Sequence, residues 1–142
     1  MRYLLDTNIV SELRKGSRCD PAVAAWEKAE LIPHGGAVSV ITVGEIRKGI
    51  AIISPRDPGQ AASLEAWLQR LCNDYAHRIL PVSLDVAEEW GRLNAVRPLP
   101  AVDSLLGATA KVHGLILATR NVRDLEGVAL SLVNPFEYKA GA

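Results

Sequence analysis

Short apolar segments alternate with amphipathic helical patterns along the chain, and this alternation constrains the fold more than any other feature. Strand-like segments lie at residues 2–5, 37–40, 78–82, 115–118 and 130–133. Between them, apolar side chains recur every three or four residues, which is typical of helices packed on one face. Strands that alternate with helices form parallel sheets. The sequence therefore predicts an α/β fold, with one three-layer α/β/α domain over residues 1–142 and a central parallel sheet of about five strands.

The helices are predicted from this apolar spacing and from residues that begin or end a helix. The helical segments are residues 7–14, a segment that starts at Pro21, residues 43–53 and 61–72, a segment from Ser83 or Asp85 to Val96, and residues 102–113. Pro21 suits a first helical turn, and Gly114 suits the left-handed residue just past a helix. Turns or loops are predicted at residues 33–36, 54–59 and 97–100, where Pro and Gly interrupt the pattern. Trp67 and Trp90 lie in apolar helical stripes and are predicted to be core residues.

Three acidic residues lie where an apolar, strand-like stretch passes into a helical pattern: Asp6, Glu45 and Asp103. In an open parallel sheet the carboxyl ends of the strands share one edge, and ligands bind in the crevice where the strand order reverses. Three carboxylates that converge on this crevice repel one another unless a cation lies among them. The sequence therefore predicts a site for a hard metal ion with oxygen ligands.

Each acid also has a structural explanation. Asp6 is a favoured helix N-cap residue, and a carboxylate at Asp103 suits the first turn of a helix because of the helix dipole. Thr42 and Glu45 have the spacing of a capping box, in which Glu45 would bond back to the first turn of its own helix. The occurrence of three such acids in one chain favours a shared site, and a helix start is able to serve both roles.

The composition argues against a membrane protein and against a general electrostatic attraction to nucleic acid. The sixteen basic and sixteen acidic residues balance, so a polyanion would have to be bound by a local patch. Basic pairs near the acids offer such a rim: Arg14 and Lys15, Arg47 and Lys48, and Arg120 and Arg123. The isolated Cys19 and Cys72 suggest reduced thiols in a cytoplasmic protein. The apolar runs are too short for a membrane helix, so no membrane association is expected.

Four ordered segments carry a family resemblance. They are residues 4–13 (LLDTNIVSEL), 41–50 (ITVGEIRKGI), 103–114 (DSLLGATAKVHG) and 118–125 (ATRNVRDL). Together, at these separations, they resemble the PIN-domain family, and most of all the VapC-like ribonuclease toxins of bacterial type II toxin–antitoxin pairs. The similarity extends from residue 2 to Phe136. It implies a PIN-like sheet flanked by helices, Mg²⁺- or Mn²⁺-dependent cleavage of RNA, homodimerisation, and neutralisation by a cognate antitoxin.

The resemblance also implies roles for individual residues. Asp6, Glu45 and Asp103 match the first three active-site acids of the family, whereas Asn121 stands where a fourth acid is usual. Asp124 follows three residues later, so either residue is able to complete the site. The expected catalytic residues are Asp6, Glu45, Asp103 and Asn121, and the expected metal ligands are Asp6, Glu45, Asp103 and Asp124.

The chemistry of phosphodiester cleavage indicates a separate role for each of these residues. Carboxylates that hold Mg²⁺ allow it to neutralise a phosphate and activate a water. Asp6 and Asp103 are expected to be direct ligands, and Glu45 a ligand or a base that orients water. Thr7, Asn8 and Thr119 are expected to hold the ligands by hydrogen bonds. Whether one or two metal ions bind, which RNA is cut and which antitoxin binds are left open by the sequence.

An acid cluster in an α/β fold is also compatible with functions other than RNA cleavage. A phosphohydrolase that forms an aspartyl phosphate normally has a second Asp where this chain has Asn8. A receiver-like signalling domain needs a pair of acids near the first strand, and residues 3–6 (YLLD) do not supply that pair. A PIN fold that serves only as a protein-binding module is a further alternative. Residues 7–14, 43–53 and 61–72 are predicted to offer an apolar surface to an antitoxin helix or to a second copy of the chain.

Overall fold

A five-stranded parallel sheet forms the centre of the computed structural model, which describes residues 1–141. The strands are β1 (Tyr3–Leu5), β2 (Gly36–Ser39), β3 (Ile79–Leu80), β4 (Ile116–Ala118) and β5 (Leu132–Val133). Their order across the sheet is β3-β2-β1-β4-β5, and each neighbouring pair is parallel. The predicted fold class is therefore confirmed.

Helices cover both faces of this sheet. They are α1 (Thr7–Leu13), α2 (Pro21–Trp26), α3 (Ile32–His34), α4 (Val40–Ile53), α5 (Pro58–Asp74), α6 (Leu84–Val96) and α7 (Ala101–Val112). A π-helical turn at Glu27–Leu31 joins α2 to α3. Short 3₁₀ turns lie at Gly16–Arg18, Val122–Leu125 and Pro135–Glu137. In the part of the chain that the structure describes, no helix is both long and apolar enough to span a bilayer.

Alternation of side chains along β1 divides the core into two layers. Tyr3 and Leu5 pack with residues of α1, α2, α4 and α5, including the buried Trp26. Leu4 points to the opposite face, where it packs with Leu106 of α7. All three residues of β1 are buried, as expected for a central strand covered on both faces.

The boundary between β2 and α4 differs from the sequence prediction. The strand ends at Ser39 and the helix begins at Val40, three residues earlier than predicted. Ser39 has extended backbone geometry, and its Oγ accepts a hydrogen bond from the backbone N of Ile41 at 3.0 Å. The predicted capping box is therefore wrong. Thr42 is buried within the helix, and Glu45 lies in the second turn.

Two strands, one helix and one core residue also differ from their predictions. The strands predicted at 78–82 and 130–133 shorten to two residues each. The helix predicted at 61–72 begins already at Pro58, because Asp57 Oδ1 accepts a hydrogen bond from Gln60 N at 3.0 Å and proline is favourable in a first turn. Trp90 is not a core residue: it is 36% exposed, since it lies at the edge of the α6–α7 contact.

The topology places a crevice beside β1. The chain builds β2 and β3 on one side of β1 and then returns to add β4 and β5 on the other side. Strand order therefore reverses between β1 and β4, and the carboxyl ends of these two strands border a crevice of the kind that holds ligands in α/β folds. Asp6 and Thr119 are the residues that follow the two strands.

Candidate active site

Asp6 lies at the reversal point and is held from both sides. Its backbone N donates to Ala118 O at 2.9 Å, which ties it to the end of β4. Its Oδ2 accepts hydrogen bonds from Thr119 Oγ1 at 2.6 Å and from Asn8 Nδ2 at 3.2 Å. Its Oδ1 accepts from Thr7 N at 2.6 Å. This carboxylate is 4% exposed, so its orientation is fixed by neighbours and not by solvent.

The protonation of Asp6 depends on two other acids. Burial raises the pKa of this carboxyl, whereas the hydrogen bonds from Thr119 and Thr7 lower it. The negative charges of Asp103 and Glu45 raise the pKa further. All three predicted acids therefore lie near enough to interact through their charges.

Glu45 reaches the same crevice from the second turn of α4. Its Oε1 accepts a hydrogen bond from Thr7 Oγ1 at 2.5 Å, and Thr42 Oγ1 lies 3.4 Å from the same hydroxyl. Thr7 thus binds Asp6 through its backbone N and Glu45 through its side chain. The sequence motif predicted that Thr42 caps a helix, but in the structure Thr42 lies beside Thr7, the residue that connects Asp6 to Glu45.

Asp103 approaches from the first turn of α7 and is half-buried. Burial raises the pKa of its carboxyl, the nearby amide side chain of Asn121 lowers it, and the charges of Asp124 and Glu45 raise it. Both residues considered for the fourth corner of the site, where a fourth acid is usual, therefore act on Asp103: Asn121 through its polar side chain and Asp124 through its charge.

The loop that carries the fourth corner begins where β4 ends. Asn121 N donates to Thr119 Oγ1 at 3.0 Å, and the 3₁₀ turn Val122–Leu125 follows. Asp124 is exposed in this turn, whereas Leu125 is fully buried and anchors it. The Thr119 hydroxyl thus connects this loop to Asp6.

Comparison with known families agrees with this architecture. The family model described as the PIN domain matches residues 3–129. The chain belongs to the PIN-domain family. This PIN domain is 33% identical over 139 residues to the VapC ribonuclease Y4jK of Sinorhizobium fredii, an alignment that covers 94% of this chain and 97% of that protein. It is 30% identical to the toxin FitB of Neisseria gonorrhoeae, over 94% of this chain and 97% of FitB.

Solved structures give the same result at the level of the fold. The PIN domain superposes on a chain of the FitAcB crystal structure from Neisseria gonorrhoeae with a TM-score of 0.83 and 28% identity, covering 95% of this chain and 99% of that one. A toxin–antitoxin complex from Klebsiella pneumoniae matches with a TM-score of 0.68 and 30% identity, covering 94% and 97% of the two chains.

The donor set of the site suits a hard cation. Its charged groups are carboxylates, and among the described residues no ion pair joins Asp6, Glu45 or Asp103 to a basic side chain. The acids do not form a closed cage: within residues 1–141, no three His, Cys, Asp or Glu side chains are grouped closely enough to hold a metal ion. Mg²⁺ keeps several of its waters and is commonly held by only one or two carboxylates, so this open set of oxygens fits a hydrated ion.

Most of the predicted basic rim is engaged elsewhere. Lys15 pairs with Glu12, Arg47 pairs with Glu65, the Arg14 guanidinium lies 5.4 Å from the centre of the Trp67 ring, and that of Arg120 lies 4.2 Å from the centre of the Phe136 ring. In the described part of the chain, Lys48 and Arg123 are exposed and make no ion pair or side-chain hydrogen bond. Of the six predicted rim residues, these two therefore keep an unpaired charge in the described part of the chain.

A cavity of about 150 Å³ with a largely apolar floor opens between α1 and α5. Val10 and Leu13 of α1 and Trp67 and Leu71 of α5 line it, and Arg14 and Glu27 add one charge of each sign. Two of the predicted partner-binding segments, residues 7–14 and 61–72, therefore form one groove. The third segment, residues 43–53, does not line this cavity.

Proposed function

We propose that this chain is a metal-dependent endoribonuclease and acts as the toxin of a toxin–antitoxin pair. The observation that carries the proposal is the crevice between β1 and β4, where the negative charges of Asp103 and Glu45 raise the pKa of Asp6 and, among the described residues, no ion pair joins these acids to a basic side chain. The similarity to a protein named VapC ribonuclease supports RNA as the substrate class, and the similarity to the toxin FitB supports the role as a toxin. Residues 1–142 would form one nuclease domain of a cytoplasmic protein.

Asp6, Asp103 and Glu45 would surround a hydrated cation, with one or two of them bound to it directly and the rest acting through its waters, and Asn121 or Asp124 would complete the set. Bound Mg²⁺ or Mn²⁺ would neutralise the phosphate, lower the pKa of a water and stabilise the leaving oxygen. The chain's own residues prepare this site. Thr119 fixes the direction of the Asp6 carboxylate, and the exposed Lys48 and Arg123 attract the RNA backbone.

The other enzymatic alternative, an acid-cluster phosphohydrolase, receives less support. A phosphohydrolase of this kind normally has a second Asp two residues after the nucleophile. Here Asn8 stands at that place, and its Nδ2 donates a hydrogen bond to Asp6 Oδ2 at 3.2 Å. The missing second acid argues against an aspartyl-phosphate enzyme.

The partner is proposed to be an antitoxin that covers the groove between α1 and α5. The structural neighbours include a toxin–antitoxin complex from Klebsiella pneumoniae, and the groove offers an apolar floor with Arg14 and Glu27 in its lining. An amphipathic helix that carries an acidic and a basic residue beside its apolar face would complement this surface. A second copy of the chain is expected to bind at a different face, which gives a homodimer.

Incubation of the purified, partner-free chain with labelled RNA tests the proposal. RNA should be cut internally in the presence of Mg²⁺ or Mn²⁺ and remain intact with EDTA. Addition of the protein encoded by the adjacent reading frame should inhibit cleavage. A pure chain that leaves a diverse set of RNAs intact at millimolar Mg²⁺ and Mn²⁺ would favour the protein-binding module instead.

The fourth corner yields a separate prediction for metal affinity. Asn121→Asp adds a negative charge beside Asp103 and should tighten Mn²⁺ binding, whereas Asp124→Ala removes one and should weaken it, each by about tenfold. Titration of metal-free protein with Mn²⁺ measures both effects. Glu126→Ala, which removes an exposed acid two residues further along, is the matched control. Unchanged binding in Asp124→Ala together with loss of binding in Asn121→Ala would assign the corner to Asn121 alone.

A further inference from the structure

The first turn of α7, which carries Asp103, depends on a neighbouring helix for its anchoring. The residue before the helix is Pro100, and within residues 1–141 no side chain caps this end. Instead, the fully buried Ser104 donates its hydroxyl hydrogen to Ala101 O at 3.1 Å. The same hydroxyl accepts hydrogen bonds from Trp90 Nε1 at 3.0 Å and Asn94 Nδ2 at 3.3 Å, both on α6.

Asn94 extends this network to the segment before the helix. Its Oδ1 accepts a hydrogen bond from Leu99 N at 3.1 Å, and its Nδ2 also donates to Trp90 O at 3.0 Å. One amide side chain therefore binds both the approach to α7 and the first turn of α7. Only Ser104 in this network is fully buried, and its hydroxyl is satisfied as both donor and acceptor, which fixes the arrangement around it.

Arg97, one turn further along, holds the loop of the fourth corner. Its Nη2 donates to Asp124 O at 3.1 Å and to Glu126 O at 2.7 Å, on either side of the buried Leu125. Its Nη1 lies 3.5 Å from Pro98 O. The planar guanidinium thus ties the loop that carries Asn121 and Asp124 to the turn between α6 and α7.

We propose that Asn94 and Arg97 are positioning residues that set the separation between Asp103 and the 121–126 loop. Among the described residues, neither side chain hydrogen-bonds to a carboxylate of the site. Asn94 acts through Ser104 and the backbone before α7, and Arg97 acts through two carbonyl groups of the loop. Together they hold the first turn of α7, which carries Asp103, and the 121–126 loop from the same short segment, residues 94–97. This inference rests on the metal site of the proposed function.

Arg97→Met tests the inference in two ways. Without metal, backbone amide exchange of residues 121–126 should become faster, because two carbonyl contacts are lost. With metal, Mn²⁺ affinity should fall about tenfold, as is usual when a group that orients a metal ligand is removed. Higher Mn²⁺ concentrations should restore cleavage, which a general loss of folded protein would not allow. Arg97→Lys, which keeps the charge but not the fork of donors, should recover only part of the affinity.

Arg92→Met is the matched control on α6, the helix that ends one residue before Arg97, since Arg92 is exposed and pairs only with Glu88 and Glu89 among the described residues. Asn94→Ala should speed exchange at residues 99–104 and also weaken Mn²⁺ binding. Wild-type exchange and wild-type Mn²⁺ affinity in both Arg97→Met and Asn94→Ala would overturn the inference. A wild-type protein that binds no Mn²⁺ would instead contradict the proposed function itself, so the two failures are distinguishable.

Discussion

Replacement of Asp6 with Asn is expected to abolish RNA cleavage while leaving the fold intact. The variant keeps an oxygen that is able to accept the Thr7 or Thr119 hydrogen bond, but it removes the negative charge at the centre of the crevice. Loss of several kcal/mol of metal-assisted stabilisation corresponds to a decrease in rate of about 100-fold or more. Asp103→Asn should have a similar effect. Cleavage assays over a range of Mg²⁺ and Mn²⁺ concentrations measure both, and a variant with wild-type turnover and unchanged metal dependence would contradict the ligand assignment.

Thermal unfolding of the same variant separates loss of function from loss of fold. Burial raises the pKa of Asp6, so the folded protein binds this proton more tightly than the unfolded chain does. Without metal, this group therefore contributes stability below its unfolded pKa, and the contribution is lost as pH rises through the higher folded pKa. Asp6→Asn should remove this dependence and be no less stable than the wild type at neutral pH. Added Mn²⁺ should raise the melting temperature of the wild type but not of the variant.

Glu45→Gln is expected to be nearly inactive and as stable as the wild type. The sequence motif predicted a capping box, for which this change would also weaken the helix. In the structure Ser39 caps α4, and Glu45 lies beyond the first turn. The amide oxygen of Gln is still able to accept the Thr7 hydrogen bond, so the loss is one of charge. Cleavage should fall about 100-fold, with a change in unfolding free energy within about 0.5 kcal/mol.

Ser39→Ala is the complementary variant. It removes the acceptor for Ile41 N and should destabilise the protein by about 1 kcal/mol. Its cleavage rate per folded molecule should remain close to that of the wild type. If Glu45→Gln lowered the melting temperature but cleaved normally, Glu45 would have only a structural role.

Local sequence patterns were sufficient to predict the strand–helix alternation and the approximate place of the three acids. Apolar runs such as residues 115–118 report burial on both faces of a strand directly, because side chains alternate along it. Element boundaries were less well predicted. Ser39 and Thr42 are both good cap residues, and only the end of β2, which gives Ser39 extended backbone geometry, decides between them.

The contacts that make the site lie beyond the reach of spacing along the chain. The Thr119 hydroxyl that holds Asp6 comes from a residue 113 positions away. The sequence predicted Thr7, Asn8 and Thr119 as hydrogen-bonding groups of the site, and all three donate to Asp6, but the sequence did not indicate which acid or which oxygen each one binds. Similarly, four of the six predicted rim residues pair with an acid or an aromatic ring, which charge patterning alone did not indicate. The sequence by itself determined a parallel α/β sheet with acids near its carboxyl edge, since periodicity and helix-start signals are local. Only the tertiary structure decided which donors orient each acid, which cations stay free and how α6 anchors Asp103, because these depend on the packing of distant segments.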